Sequence, residues 1–207
     1  MGTRNLTCVV DRYGNYKVAQ YCQWDGYPSG QGATVYDFIQ NWDRDEFEDA
    51  LSKVYYLTPS IIQEYCEKLE TDPRLDKVGT YAYDLVKEDY PQLHRDTGAK
   101  VLQWIVEQYR AGKWPIGLKS DLSFAADSLY CEFCYVIDLQ KNELETLVGF
   151  NKSPLSEGER FAHMCRQHPG FYPVRSLKVY ALDNLPTNKA VFVSDLEIAE
   201  RELKGWD

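Results

Sequence analysis

The chain has 207 residues, 44% of them hydrophobic and 27% charged, and carries a net charge of −9. That much apolar material builds a core and excludes a disordered chain. The excess of acid excludes direct attraction to nucleic-acid phosphates or anionic lipid, which takes clustered cations, and no apolar run approaches the roughly 20 residues that cross a bilayer. Six cysteines and an opening without the features of a secretory leader point to free thiols in a cytoplasmic setting.

In chain order, residues 6–10 are apolar and β-branched, 11–15 carry turn chemistry and 16–21 alternate, which predicts a β-hairpin. Residues 23–32 (QWDGYPSGQG) hold three glycines and a proline and read as an irregular loop. Thr34 and Asp37 have capping-box spacing ahead of a helix whose apolar face is Val35, Phe38, Ile39 and Trp42. Residues 43–49 are strongly acidic and read as a short helix or a solvated helical face. Thr58 followed by Pro59 starts another helix, with Ile61, Ile62, Tyr65, Cys66 and Leu69 on one side. Residues 81–90 carry a weaker helical pattern. Asp96 or Thr97 then caps a helix striped by Val101, Leu102, Ile105, Val106 and Tyr109 and ended by Gly112.

The period next returns to two, and residues 130–139 and 144–150 read as a second hairpin. Ser156 and Glu159 predict a short helix through Met164, residues 174–182 a strand and 190–193 a further short strand. Ser194 or Asp195 caps a polar C-terminal helix. Strands at both ends with helices between them predict one α+β domain over 1–207: a mostly antiparallel sheet of N- and C-terminal strands, with a helical insertion over roughly 34–112. The 16 tyrosines read first as strand-core residues and alternatively as the lining of a cleft or interface.

The 23–32 loop is the candidate site. Gln23, Trp24, Asp25, Tyr27 and Gln31 sit among glycines directly after a strand, the way a binding loop is carried on a rigid sheet. The rival reading is a tight connection in which Trp24 and Tyr27 plug the core. The Gly and Lys spacings of a phosphate loop or a dinucleotide fingerprint are absent, so no cofactor is expected. Arg4 is placed to pair with Asp25. Glu132, an acid in an apolar strand, joins the candidate set. Asp96 reads as a cap, with His94 or Arg95 left to face a ligand. Cys131 and Cys134 form a lone CxxC. Residues three apart on a strand point to opposite faces, so the thiols are expected to diverge. His163, Cys165 and His168 lack metal-site spacing and a fourth ligand.

Several of these segments carry a resemblance. Residues 1–7 (MGTRNLT), 17–21 (KVAQY), 23–28 (QWDGYP) and 30–32 (GQG) resemble the opening of an uncharacterised protein family of bacterial, phage and fungal genomes. Residues 94–99 (HRDTGA) and 135–139 (YVIDL) are similar to its later segments. The likeness touches most of the chain and implies no activity. Cys22 departs from it, standing where a glycine is expected.

Three function classes follow. The first is a small-molecule or peptide binding module using the 23–32 loop with Arg4 and Glu132. The second is a hydrolase, which as an N-terminal-nucleophile type would use Thr3 or Cys8. The third is an acidic interaction protein, such as a phage-type inhibitor of a host factor, using residues 43–49. The oligomeric state is left open.

Overall fold

The computed structural model describes residues 2–79 and 81–205. The chain opens with β1 (Asn5–Val10) and β2 (Tyr16–Cys22). Then come α1 (Ala33–Asn41), α2 (Arg44–Ser52), the short strand β3 (Val54–Tyr56), α3 (Pro59–Glu70), α4 (Ala82–Asp89), α5 (Lys100–Arg110) and the short strand β4 (Ile116–Leu118). β5 (Phe133–Asp138), β6 (Glu143–Val148) and β7 (Arg175–Ala181) follow, and α6 (Lys189–Lys204) is the last element.

The fold is α+β. Its sheet has the order β2-β1-β5-β6-β7 and is built from the N- and C-terminal strands. β1 pairs with β5 in parallel and the other neighbours are antiparallel. Parallel neighbours need a crossover, and the helical segment is part of that crossover. Within it, β3 and β4 form a separate two-stranded parallel pair that the sequence pattern did not show.

The innermost strands, β1 and β5, are buried at every residue. This is why 133–138 reads as a continuous apolar run rather than an alternation. Val9, Phe133, Tyr135 and Ile137 face a cluster shared with residues of α1, α2, α5 and α6. Leu6, Cys8, Cys134 and Val136 face a second cluster, covered by Ala125, Phe161 and Val174 from irregular segments. Arg160 holds that irregular layer down: its Nε donates to Glu145 Oε2 at 2.5 Å and its Nη2 to Asp138 Oδ2 at 2.7 Å.

Several local expectations are corrected. Residues 156–164 form turns rather than a helix, although Ser156 N–H still donates to Glu159 Oε2 at 2.7 Å. Residues 190–193 lie inside α6, whose cap is Asn188, accepting from Val191 N–H at 2.9 Å. An upstream cap let the helix start earlier than Ser194 or Asp195. Among the described residues Tyr36, Tyr135 and Tyr180 are the buried tyrosines, and the others are half-buried or exposed.

Replacing Arg160 with Met removes the cation between two carboxylates that are 2% and 9% exposed. Leaving buried charge unpaired costs about 3–5 kcal/mol. Urea unfolding of Arg160→Met is expected to show a loss of that size, and a loss under about 1 kcal/mol would refute the clamp.

Candidate functional site

Residues 23–32 are pinned. Pro28–Gly32 wind one π-helical turn that runs into α1, so Thr34 is no cap, and its hydroxyl donates to Gly30 O at 3.1 Å. Tyr135 OH donates to Gly26 O at 2.8 Å, Gly26 N–H to Thr3 O at 2.9 Å and Gln31 N–H to Asp25 O at 2.7 Å. A Cβ at Gly30 would lie 2.2 Å from Asp25 O, so the glycine serves close approach rather than mobility. Asp25 has φ 57, the left-handed region that Asp tolerates better than most residues.

Gln31 ties this turn to α5. Its buried Oε1 accepts from Ala99 N–H at 2.8 Å, and its Nε2 donates to Cys22 Sγ at 3.5 Å. At Gly98, φ is 50 and a Cβ would lie 2.4 Å from Gln31 Oε1. The Ala99 N–H ahead of α5 is therefore held by a side chain from a distant segment, and neither the Asp96 nor the Thr97 side chain caps the helix. The Thr97 hydroxyl instead donates to Pro91 O.

The turn, α1, residues 91–97 and α5 enclose a cleft of about 840 Å³, within the range that holds a small organic ligand. Trp24, Phe38, Trp42 and Trp104 supply aromatic lining, and Asp25, His94, Asp96, Lys87 and Lys100 supply polar lining. Trp24 is 43% and Tyr27 53% exposed, so neither plugs the core.

Two polar atoms of the cleft residues lack partners. His94 is 2% exposed and its Nδ1 accepts from Asp96 N–H at 3.2 Å. Burial holds His94 below the ordinary histidine value, so the neutral ring carries its proton on Nε2. That Nε2 has no hydrogen-bond partner, a deficit of about 1–3 kcal/mol for a buried donor. Asp96 Oδ2 accepts from Tyr83 OH, while Oδ1 has only Arg95 Nε, at 3.9 Å and beyond hydrogen-bond reach. The cleft's thiol and threonine hydroxyls are engaged with backbone: Cys22 donates to Trp24 O at 3.4 Å, and burial raises its thiol.

The sequence-predicted residues divide. Trp24, Asp25 and Gln31 line this cleft. Tyr27 and Glu132 border a separate cavity of about 640 Å³ that also touches Arg175. Gly26 is anchored to the Thr3 and Tyr135 backbone and hydroxyl groups between them. Gln23 Oε1 accepts from Tyr21 OH at 2.5 Å, and Gln23 N–H donates to Arg95 O at 2.8 Å. Arg4 does not pair with Asp25. Its guanidinium lies 4.4 Å over the Tyr130 ring, and its backbone N–H donates to Glu132 Oε1 at 3.2 Å. Glu132 itself precedes β5 rather than lying inside it.

Cys131 also precedes β5, so strand alternation does not separate it from Cys134. Both thiols are free and share one buried cluster with Cys8. Among the described residues no group of three or more His, Cys, Asp or Glu is arranged to hold a metal. His168 Nε2 lies 3.2 Å from Asp127 Oδ1.

Sequence reasoning missed Lys87, Lys100 and Trp104 as cleft residues; Phe38 and Trp42, which it placed on the apolar face of α1, pack against the main core and also border the cleft. Trp104 carried a signal: it is apolar yet lies outside the Val101, Leu102, Ile105 and Val106 stripe. Comparison of the chain with protein-family models, with curated proteins and with solved structures finds no match.

The lowered His94 value sets a pH dependence. Below its ordinary value of 6.5 the unfolded chain takes up a proton that the folded chain refuses. Stability therefore falls as pH drops from 7 towards 5, and His94→Gln is expected to flatten that slope in urea melts. An unchanged slope would place His94 in contact with solvent.

Proposed function

We propose that the protein is a binding protein that takes up a small organic molecule or a short peptide segment in the cleft between the 23–32 turn and residues 91–97. The supporting observation is the pairing of a half-exposed indole, Trp24, with the Asp25 carboxylate on an anchored turn. The Asp25 side chain has no hydrogen-bond or ion-pair partner among the described residues. Aromatic area beside a few convergent polar groups on a rigid frame is how ligand sites are built.

The other two readings have less behind them. Cys8 lies mid-strand at 0% exposure, and Thr3 is 3% exposed, which disfavours either as a nucleophile. The acids of 43–49 are largely engaged: Asp43 caps α2, Glu46 pairs with Arg110, and Glu48 pairs with Arg12 and Arg44. Arg12, Arg44 and Arg110 thus offset part of the charge of this segment.

A thermal-shift screen of metabolites and short peptides tests the reading. Trp24→Ala and Asp25→Asn are expected to abolish a ligand-induced rise in Tm while changing unliganded stability by no more than about 0.5 kcal/mol. Asparagine keeps the left-handed backbone accessible, so only the charge is tested. Large stability losses in both variants, with binding intact, would make the turn purely structural.

A further inference from the structure

The cavity beside Tyr27 has a chemistry of its own. It encloses about 640 Å³ between the sheet and the last turn of α6, and Tyr27, Glu132, Phe150, Arg175 and Lys204 stand on its wall. We propose that it is a second binding site, which takes the carboxylate of a small aromatic or branched apolar acid with Arg175 as its anchor.

Strand register positions the anchor. Phe133, Val148 and Arg175 are paired in one row across β5, β6 and β7, so their side chains leave the sheet on the same face. Phe133 and Val148 pack there into the main core with Phe192 and Leu196 of α6. At Arg175 the row meets the cavity instead. Arg175 has no hydrogen-bond or ion-pair partner among the described residues. Only the Nε of its guanidinium is sealed from solvent; the two Nη groups, equally unpartnered, keep accessible surface on a half-buried residue that lines the cavity. The planar fork of a guanidinium matches the two oxygens of a carboxylate.

The acids on the same wall leave Arg175 unneutralised. Glu132 accepts from the Arg4 backbone N–H at 3.2 Å and forms no ion pair, and Glu200 is held by Lys204 at 2.5 Å. Arg175, Lys152 and Lys204 outnumber Glu132 and Glu200 here, in a chain of net charge −9. In the larger cleft the balance is reversed, with Asp25, Asp37, Asp96 and Glu107 against Lys87 and Lys100. The C-terminal turn of α6 brings partial negative charge to the cavity, and Lys204 within that turn offsets it. A surplus of one cation suits a monoanion better than a phosphate dianion. The rest of the wall supplies apolar area. Tyr27, Phe150 and Leu203 are exposed, and Phe150 keeps a φ of 55, a left-handed backbone that aromatic residues rarely adopt. Exposed rings beside an unpaired guanidinium fit an acid with an aromatic or branched body.

Nitrogen-15 NMR titration of the full chain with benzoate, phenylacetate, indoleacetate and isovalerate tests this. Phenylacetamide, phenethylammonium and phenyl phosphate serve as contrasts. At least one acid is expected to bind saturably and to move the backbone signals of Phe150 and Ser153. The amide and the ammonium compound are expected to bind about tenfold more weakly or worse, the effect of losing hydrogen bonds to a charged group. Arg175→Gln is expected to weaken the acid by about the same factor. Arg175→Lys should recover only part of that loss, since lysine keeps the charge without the fork.

No binding by any acid, equal binding of phenylacetamide, tighter binding of phenyl phosphate, or unchanged affinity in a folded Arg175→Gln would each overturn the assignment. So would signals that move at Trp24 and Asp25 instead of Phe150 and Ser153, which would put the acid in the cleft. If Arg175→Gln does not fold, the signals and contrasts in unmutated protein still decide. Failure of this site leaves the binding function proposed for the cleft standing.

Discussion

The cleft depends on one side chain. Gln31 accepts the Ala99 N–H that opens α5 and donates to the sulfur at the end of β2. One amide group thus joins the last residue of the hairpin, the π-helical turn and the first turn of a helix whose stripe packs the main core. The start of α5 has no side-chain cap of its own: the Ala99 N–H is satisfied through this contact, and the next three N–H groups bond the carbonyls of Thr97, Gly98 and Ala99. A residue that satisfies two buried polar partners at once cannot move without leaving both unpaired. The glycine at 98 follows from it, because the backbone there must approach the amide closely.

The same anchoring explains why the candidate residues serve two cavities. Gly26 is fixed from both directions, its N–H on Thr3 and its carbonyl on Tyr135. Asp25, held at positive φ just before it, borders one cavity, and Tyr27, just after it, borders the other. A sequence window treats three successive residues as neighbours, whereas a backbone pinned at the middle one sends its flanks apart.

The sheet was legible because its causes are local. Alternation gave β2, turn residues gave both hairpins, and Thr58 with Pro59 gave the start of α3. The starts of α1 and α5 were misread because a helical turn already precedes α1 and a tertiary contact sets the start of α5. Gln31 reaches Ala99 across the fold, and Pro28–Gly32 are already helical, so the nearby Thr and Asp residues look like caps that the helices do not use. The thiols of Cys131 and Cys134 were separated on paper by strand alternation that begins only at Phe133. Within the site, Trp24, Asp25 and Gln31 could be found because they lie in one run. Lys87, Lys100 and Trp104 could not, since only the crossover between β1 and β5 brings them alongside.

The two sides of the cleft differ in how firmly they are held. The turn and α5 are tied to the main core, whereas α4, which carries Lys87, buries only Leu85, and α3 beside it buries only Leu69. Few buried apolar contacts place a segment at the low end of local stability. Residues 91–97 join that lightly held pair to α5, and they also concentrate unsatisfied polar atoms: Gln92 Oε1, His94 Nε2 and Asp96 Oδ1. A folded chain tolerates such a cluster when the rest of the structure over-determines the local conformation. Here that role falls to the Thr97 hydroxyl on Pro91 O, Gln23 N–H on Arg95 O, and Tyr83 packed edge-on against His94 at 4.3 Å. The strongly held wall thus presents the aromatic surface of Trp24, and the lightly held wall keeps its unpaired hydrogen-bonding groups buried.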